Sequence, residues 1–550
     1  MTRPLPPESS SARLSRSSWR PKALCVALAL VALLFGTHAR AAQNASGFPL
    51  KLPALISSPI ALGNLGGMPR LYFTVATPGG GSLFCVTAAG ADCAGFPLSL
   101  GKDAAIIGAP AVADLDADGG EEIAVLLTDG SLRAFRDDGS EFLSLPRTGE
   151  ASASTPLTLA DLDSDGRPDL VFADAARQLH ALNARGRSLP GFPRRLRAPV
   201  TSPISWGFGG EGDRRVLLWG GEDGRLNAIF ADGAVVPGFP KATGYLISAQ
   251  PALADVEGEG RLSVAFASQD FKIHAADLDG TQRPGFPVDT GARLKDGPAL
   301  ARLTDGVGRS VVVAATDGRL HVLDAKGKAR KGFPVTLAER LVGAPLAVDL
   351  DGDGIDELLT ASADGRLHAL RPNARPFSGF PVQLKGLPDS GPVAFAWEDA
   401  ILVAQGAGET LHAFRVRPKT ASRLPLTWPE PGHDSTRSGR LTPNAPLYRD
   451  LVLSPERPTV GDAIELGYRF IDLDGRPEPK LAVRWLRDGK VFPEADGLRV
   501  LPAGMARKGE RWTPKIESEG ARVLGQPSVV VRNTPPPAPR VCSDFWQTCK

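Results

Sequence analysis

The sequence predicts an all-β protein, an eight-bladed β-propeller followed by an Ig-like β-sandwich, with seven blades as the alternative count. Three observations carry that expectation. The tripeptide Gly-Phe-Pro recurs at Gly47, Gly95, Gly191, Gly238, Gly285, Gly332 and Gly379, and the last four intervals are each 47 residues. A second phrase keeps the same period: "SLFCV", "SLRAF", "QLHAL", "RLNAI", "KIHAA", "RLHVL", "RLHAL" and "TLHAF" place a leucine or isoleucine at 83, 132, 179, 226, 273, 320, 367 and 411. The composition, 61 glycines and 49 prolines in 550 residues, favours turns over long helices.

Within one unit, "APLAVDL" runs toward an acidic loop and "DELLTAS" leaves it. Asp364-Gly365 then marks a tight hairpin, "RLHAL" returns, and "GFPVQL" ends the unit, giving four short strands. Similar hairpin dipeptides stand at Asp129-Gly130, Asp223-Gly224 and Asp317-Gly318. A sheet of this size has an apolar face that it cannot bury alone, and radial packing of equal sheets covers it. One Gly-Phe-Pro is missing midway between Gly95 and Gly191, where "SLPRT" keeps Leu145-Pro146; "LTWP" (Leu426 to Pro429) ends the series. The propeller is therefore expected over 47–440, with the first "GFPL" pairing onto the last unit to close the ring. Were the irregular first unit only a closing piece, the count would be seven.

Past residue 443 the period stops. Ile464, Leu466, Tyr468 and Phe470 alternate as on a half-buried strand, and "AVRWLRDGKVF" puts Trp485 on another before an Asp-Gly turn. A β-sandwich over 445–533 is expected, without the Cys…Trp…Cys framework of antibody domains. Residues 534–550 are read as a stiff proline-rich linker and a cysteine-containing tail.

The first 41 residues read as a secretory signal. Arg3, Arg13, Arg16, Arg20 and Lys22 precede the apolar run "ALCVALALVALLFG", and Ala39-Arg40-Ala41 supplies a small-residue cleavage site. An uncleaved anchor is the alternative. The segment holds six Lys/Arg and one acid, so 57 basic and 60 acidic residues remain in the mature chain and its net charge is −3. That balance gives no footprint for nucleic acid. Of the remaining cysteines, pairing of Cys85 with Cys93 and of Cys542 with Cys549 closes two short loops; free thiols are the alternative.

The chemistry concentrates in three acidic phrases at one phase of the repeat. They place Asp114, Asp116, Asp118 and Glu122; Asp161, Asp163, Asp165 and Asp169; and Asp349, Asp351, Asp353 and Glu357 at positions 1, 3, 5 and 9 of a loop. Alternating side chains converge when the loop curls, and glycine at position 6 permits the turn. The main-chain carbonyl at position 7 (Gly120, Arg167, Ile355) adds a further oxygen. An all-oxygen cage suits Ca²⁺ better than zinc or copper. Position 12 lacks the glutamate of a helical EF-hand, being Val125, Phe172 and Thr360. Asp255, Glu257 and Glu259 look like an eroded fourth copy.

These phrases, "DLDADGGEE", "DLDSDGRPD" and "DLDGDGIDE", resemble the FG-GAP/VCBS repeats of bacterial exported proteins and the calcium loops of integrin α-chain propellers. "WPEPGHDSTRSG" resembles the segment that closes such repeat regions. The region 453–533 is similar to Ig-like modules of bacterial surface proteins. The resemblance implies an exported calcium-binding propeller, used for adhesion or cell-surface recognition of an extracellular protein or polysaccharide. It does not fix an activity. Calcium-dependent polysaccharide lyases on eight-bladed propellers are the rival reading, though no local motif identifies a catalytic base. Quinoprotein dehydrogenases fit less well, because Trp206, Trp219, Trp397 and Trp428 share no phase. His180, His274, His321, His368 and His412 recur at one strand position and are expected to pack or hydrogen-bond. His433, Asp434 and Ser435 are adjacent, and a catalytic triad is assembled from separated elements, so a turn is expected there.

Overall fold

The computed structural model describes residues 42–532 apart from 66, 103, 147–151, 210–213, 305–307, 419–428, 430–433, 435–446, 472–477, 479–480, 519–521 and 524–525. The described residues are all-β, with one short 3-10 turn among them at Pro493–Ala495. Among the described residues no helix is long and apolar enough to cross a membrane.

Eight antiparallel sheets follow one another between residues 42 and 416. The fifth is representative: Ala252–Ala254, Ser263–Ala267, Lys272–Asp277 and Val288–Asp289, each paired with the next. The second strand of such a sheet is buried along its whole length, as in Asp169–Ala173, Ser263–Ala267 and Ser310–Ala314. That is why these segments read as unbroken apolar or small runs: both faces are covered. The fourth strand is mostly two residues long with one side exposed, a short edge that offers little for pairing.

Neighbouring sheets stack through their first strands and share apolar clusters. Ala61–Leu65 lies beside Ala111–Ala113, Ala252–Ala254 beside Ala299–Ala301, and Val393–Trp397 of the eighth sheet beside Ala61–Leu65 of the first. Phe73, Val75 and Phe84 of the first sheet share one core with Leu402, Ala404 and Leu411 of the eighth. The eighth sheet also takes strands from the chain's other end. Leu50 pairs with Leu411 and Lys51 with Thr410, while Gln43 and Asn44 pair with Arg415 and Phe414. Between the first strands lies a cavity of about 220 Å³ lined by all eight repeats, from Pro59 in the first to Ser390 in the eighth.

The Gly-Phe-Pro phrase is the joint between consecutive sheets. All seven Phe-Pro bonds are cis, and the preceding glycine has φ between +79° and +93°. A Cβ on Gly285 would sit 1.9 Å from the carbonyl oxygen of Lys326 in the next repeat, and one on Gly95 would sit 2.0 Å from that of Asp138. Where the phrase is missing, Leu145 supplies the contact differently, its side chain lying against Gly186. Cys85 and Cys93 form a disulfide within the first repeat; Cys542 and Cys549 lie outside the described residues.

Toward the C-terminus two further four-stranded sheets share a core. Ile464–Ile471 and Leu447–Ser454 belong to one, Ala482–Arg487 and Arg511–Glu517 to the other. Ile464 and Leu466 are fully buried, and Trp485 meets Trp512 with ring centroids 6.4 Å apart. The indole N–H of Trp485 donates to the carbonyl of Leu498 at 2.8 Å, so the large ring is buried without an unsatisfied donor.

The joint yields a graded prediction. Gly191 and Gly285 share φ near +80°, but a Cβ on Gly191 meets nothing within 4 Å. Gly191→Ala should cost only the backbone term, about 1–2 kcal/mol. Gly285→Ala should cost clearly more, because a main-chain oxygen must move. Equal losses in denaturant titrations would show that the contact with Lys326 is not a tight joint.

Candidate metal centres

Each full acidic phrase forms the loop between the first and second strands of its sheet, and its own backbone N–H groups hold it curled. The position 1 carboxylate takes the turn: Asp114 accepts from the N–H of Asp118 and Gly119 at 3.2 and 2.9 Å. Asp349 likewise accepts from Gly352, Asp353 and Gly354 at 2.7, 3.2 and 2.8 Å, and Asp161 from Ser164 at 2.8 Å. Position 5 accepts from position 7, as Asp118 from Gly120, Asp165 from Arg167 and Asp353 from Ile355, at 2.7–2.9 Å. Position 9 reaches back to the N–H of position 2: Glu122 to Leu115, Asp169 to Leu162 and Glu357 to Leu350, at 2.8, 2.8 and 3.0 Å. Positive φ occurs at the glycine of position 6, as expected. It also occurs at position 4, at Ala117 (62°), Ser164 (70°) and Gly352 (76°), a second left-handed turn that the sequence does not announce.

The loops bring carboxylate oxygens within 4.8 Å of one another in three groups: Asp114, Asp116 and Glu122; Asp161, Asp163 and Asp169; Asp349, Asp351 and Asp353. Asp118, Asp165 and Glu357 are not in those tightest groups, although each belongs to the same hydrogen-bonded loop. Several of the acids are deeply buried, with Glu122, Asp351 and Glu357 each 1% exposed. Burying carboxylates side by side is costly unless a cation compensates. An arginine reaches each group: Arg136 lies 3.5 Å from Asp116, Arg215 2.9 Å from Asp161, and Arg371 3.4 Å from Asp351. One guanidinium does not offset the carboxylates at positions 1, 3 and 5, so each loop keeps a net negative charge. The donors are all oxygen, convergent and already curled, so each cluster is able to hold a hard metal ion.

Burial, reinforced by the neighbouring acids, pushes the position 9 carboxyls up, Glu122 and Asp169 to about 7 and Glu357 to about 9. The repeated histidines lie apart from these loops and serve the sheets. His180 and His274 pair with Asp174 and Asp270 at 3.0 and 3.1 Å and stack on Phe172 and Phe266. His368 bonds Ser362 at 2.9 Å, and His412 accepts from the N–H of Lys385 at 3.0 Å. His433 and Ser435 lie outside the described residues.

Comparison with known proteins adds one family. Residues 101–172 match the FG-GAP-like repeat. The match spans the loops beginning at Asp114 and Asp161, the second sheet and the first two strands of the third. Among solved structures the chain is similar to BBS1N in complex with ARL6DN, at 16% identity over 60% of this chain and 95% of that one, TM-score 0.42. It is also similar to the V. cholerae biofilm matrix protein Bap1, at 13% identity over 74% and 96% of the two chains, TM-score 0.38. A chain of a mitotic checkpoint complex gives 14% identity, 69% and 98% coverage, and TM-score 0.40. No curated protein matches.

A pH dependence follows from the raised carboxyls. A group whose folded pKa lies above its unfolded value gives stability that is present at low pH and lost as pH rises through the folded value. For Glu357 the loss runs from the ordinary glutamate range up to about 9. In chelator, melting temperatures should fall between about pH 5 and pH 9, and Glu357→Gln should flatten that fall. A wild-type curve no steeper than that of the variant would refute the assignment.

Proposed function

We propose that the protein is an exported, calcium-stabilised eight-bladed β-propeller over 47–440, with an Ig-like module over 445–533, acting as a binding or adhesion protein at a cell surface. The observation that carries the propeller reading is closure. The first and eighth sheets share a core, the chain's N-terminal strands complete the eighth sheet, and every repeat lines one central cavity. Eight sheets, including the irregular first, favour eight blades over seven. The two facing sheets around Trp485 and Trp512 support the Ig-like reading.

Calcium is the ion that this donor set suits. In each loop the carboxylates at positions 1, 3, 5 and 9 and the carbonyl of Gly120, Arg167 or Ile355 form the proposed ligand set. When bound, the ion supplies charge compensation. The chain's own N–H groups keep the loop curled, and the position 9 acid ties it to the buried second strand. The central cavity opens where the first strands begin, at Pro59 and Pro251, whereas the acidic loops follow the ends of those strands. This separation supports a structural role for the ion and leaves recognition to the loops that differ between blades.

Asp351→Ala should lower the melting temperature in calcium by about 2 °C or more and shrink the effect of chelation. Unchanged unfolding after both treatments would remove the ion from the reading. The function itself is tested with mature protein, Ca²⁺ and a panel of acidic and neutral polysaccharides, recording retention on immobilised polymer and ultraviolet absorbance of unsaturated products. Retention without product supports a binding module. Chelator-sensitive product growth would replace it with a polysaccharide lyase.

A further inference from the structure

The fifth repeat keeps the acidic phrase in part, and its surroundings carry the opposite charge pattern from the full loops. Counting from position 1, the full loops have an acid at position 9, and 28 residues after position 1 they have the apolar Phe142, Leu189 or Phe377. In the fifth and sixth repeats position 1 is Asp255 or Arg302, position 9 is Ser263 or Ser310, and the residue 28 further on is Arg283 or Arg330. The residue 22 after position 1 changes as well. It is Arg136 or Arg371 in the second and seventh repeats, and Asp277 or Asp324 in the fifth and sixth.

These positions meet in space. Arg283 is 4% exposed, and its guanidinium donates to Ser263 Oγ at 3.0 Å and to Asp277 Oδ1 at 2.6 Å while pairing with Glu257 at 2.7 Å. Ser263 in turn donates to Asp277 at 2.7 Å. In the sixth repeat Arg330 Nε donates to Ser310 Oγ at 2.6 Å. In the second and seventh repeats the arginine comes from the other position, stacking 4.9 Å above Phe142 or Phe377 and reaching only the edge of the acids. Asp255 still curls the fifth loop, accepting from the N–H of Glu259 and Gly260 at 2.9 and 2.8 Å.

We propose that Arg283 is the built-in cation of the fifth repeat and that this loop does not hold a divalent ion. A guanidinium is always charged and forks onto two acids at once, so it compensates Glu257 and Asp277 permanently. The full loops have phenylalanine or leucine at that place, and the arginines that reach their acids, Arg136, Arg215 and Arg371, come from other positions. The inference rests on the calcium reading for its contrast, but the role of the arginine can be read without it.

The test is hydrogen exchange followed by mass spectrometry on the mature chain, with Ca²⁺ and with chelator. Chelation is expected to speed exchange about tenfold or more across 114–122, 161–169 and 349–357, and to leave 255–263 unchanged. A matching response at 255–263 would overturn the proposal. If no loop responds to chelation, the calcium reading fails, and Arg283→Leu then decides the arginine's role. That variant should speed exchange at 255–263 equally with and without Ca²⁺, and unchanged exchange there would overturn it. Should Arg283→Leu not fold, Arg283→Lys keeps the charge without the fork. It should give a smaller increase confined to 255–263, and wild-type exchange would again overturn the proposal.

Discussion

The apolar faces of these sheets can be buried only by another sheet, and the rest of the molecule depends on that constraint. Val264 and Phe266 of the fifth sheet pack against Val216 and Leu218 of the fourth, and Ala265 and Ala267 face the sixth. A first and a last sheet would each keep one face bare unless they met. Here they meet, and the meeting is reinforced by residues from the chain's beginning pairing onto Thr410–Val416. Once the sheets are locked face to face, variation is confined to loops at the two ends of the strands.

The same burial makes the acids expensive. Position 9 is the first residue of the fully buried second strand in the second, third and seventh sheets, where it is Glu122, Asp169 or Glu357. One oxygen of each holds the N–H of position 2, so the loop and the strand are fixed to one another by a group that resists ionisation. The chain answers this tension in three ways. Some repeats gather further acids into a cage open to a cation, and the fifth and sixth place serine there with an arginine beside it. The fourth removes charge, with Val216 and Val236 at the corresponding places packed in an apolar core.

Much of this was legible in the sequence. The 47-residue period, the Asp-Gly hairpins and the acidic loops were visible because each depends on residues near one another in the chain, and the structure places the loops between strands as the pattern implied. Pairing of the first Gly-Phe-Pro-Leu with the last unit was foreseeable because an unpaired edge is a liability. The glycine of that phrase was visible as a marker but not as a joint, since the oxygen it avoids belongs to the next repeat. The exchange of charge between position 9 and the residues 22 and 28 after position 1 was missed for a related reason. Each substitution is ordinary alone, and only the pairing of the third strand with its neighbours brings Ser263, Asp277 and Arg283 together. The turn at Ala117 and Ser164 also escaped, because neither residue type advertises positive φ.

The distribution of these solutions around the molecule has a mechanical sense. The eighth sheet is built from two parts of the chain: Gln43–Asn44 and Leu50–Lys51 pair onto Thr410–Val416. The same N-terminal stretch runs on into the first sheet at Ala61, so the seam held by strand pairing and apolar contact lies inside the eighth sheet. Strand separation is least restrained at that seam, because each of the other seven sheets is one continuous run of chain. The seventh repeat next to it carries an acidic cluster, as do the second and third, and the disulfide between Cys85 and Cys93 lies in the first. The fourth, fifth and sixth repeats, with apolar side chains or an arginine at those positions, follow one another away from that seam. The acidic clusters thus lie in the second, third and seventh repeats, on the side that includes the seam, while the fourth to sixth repeats use apolar contacts or an arginine at the same place.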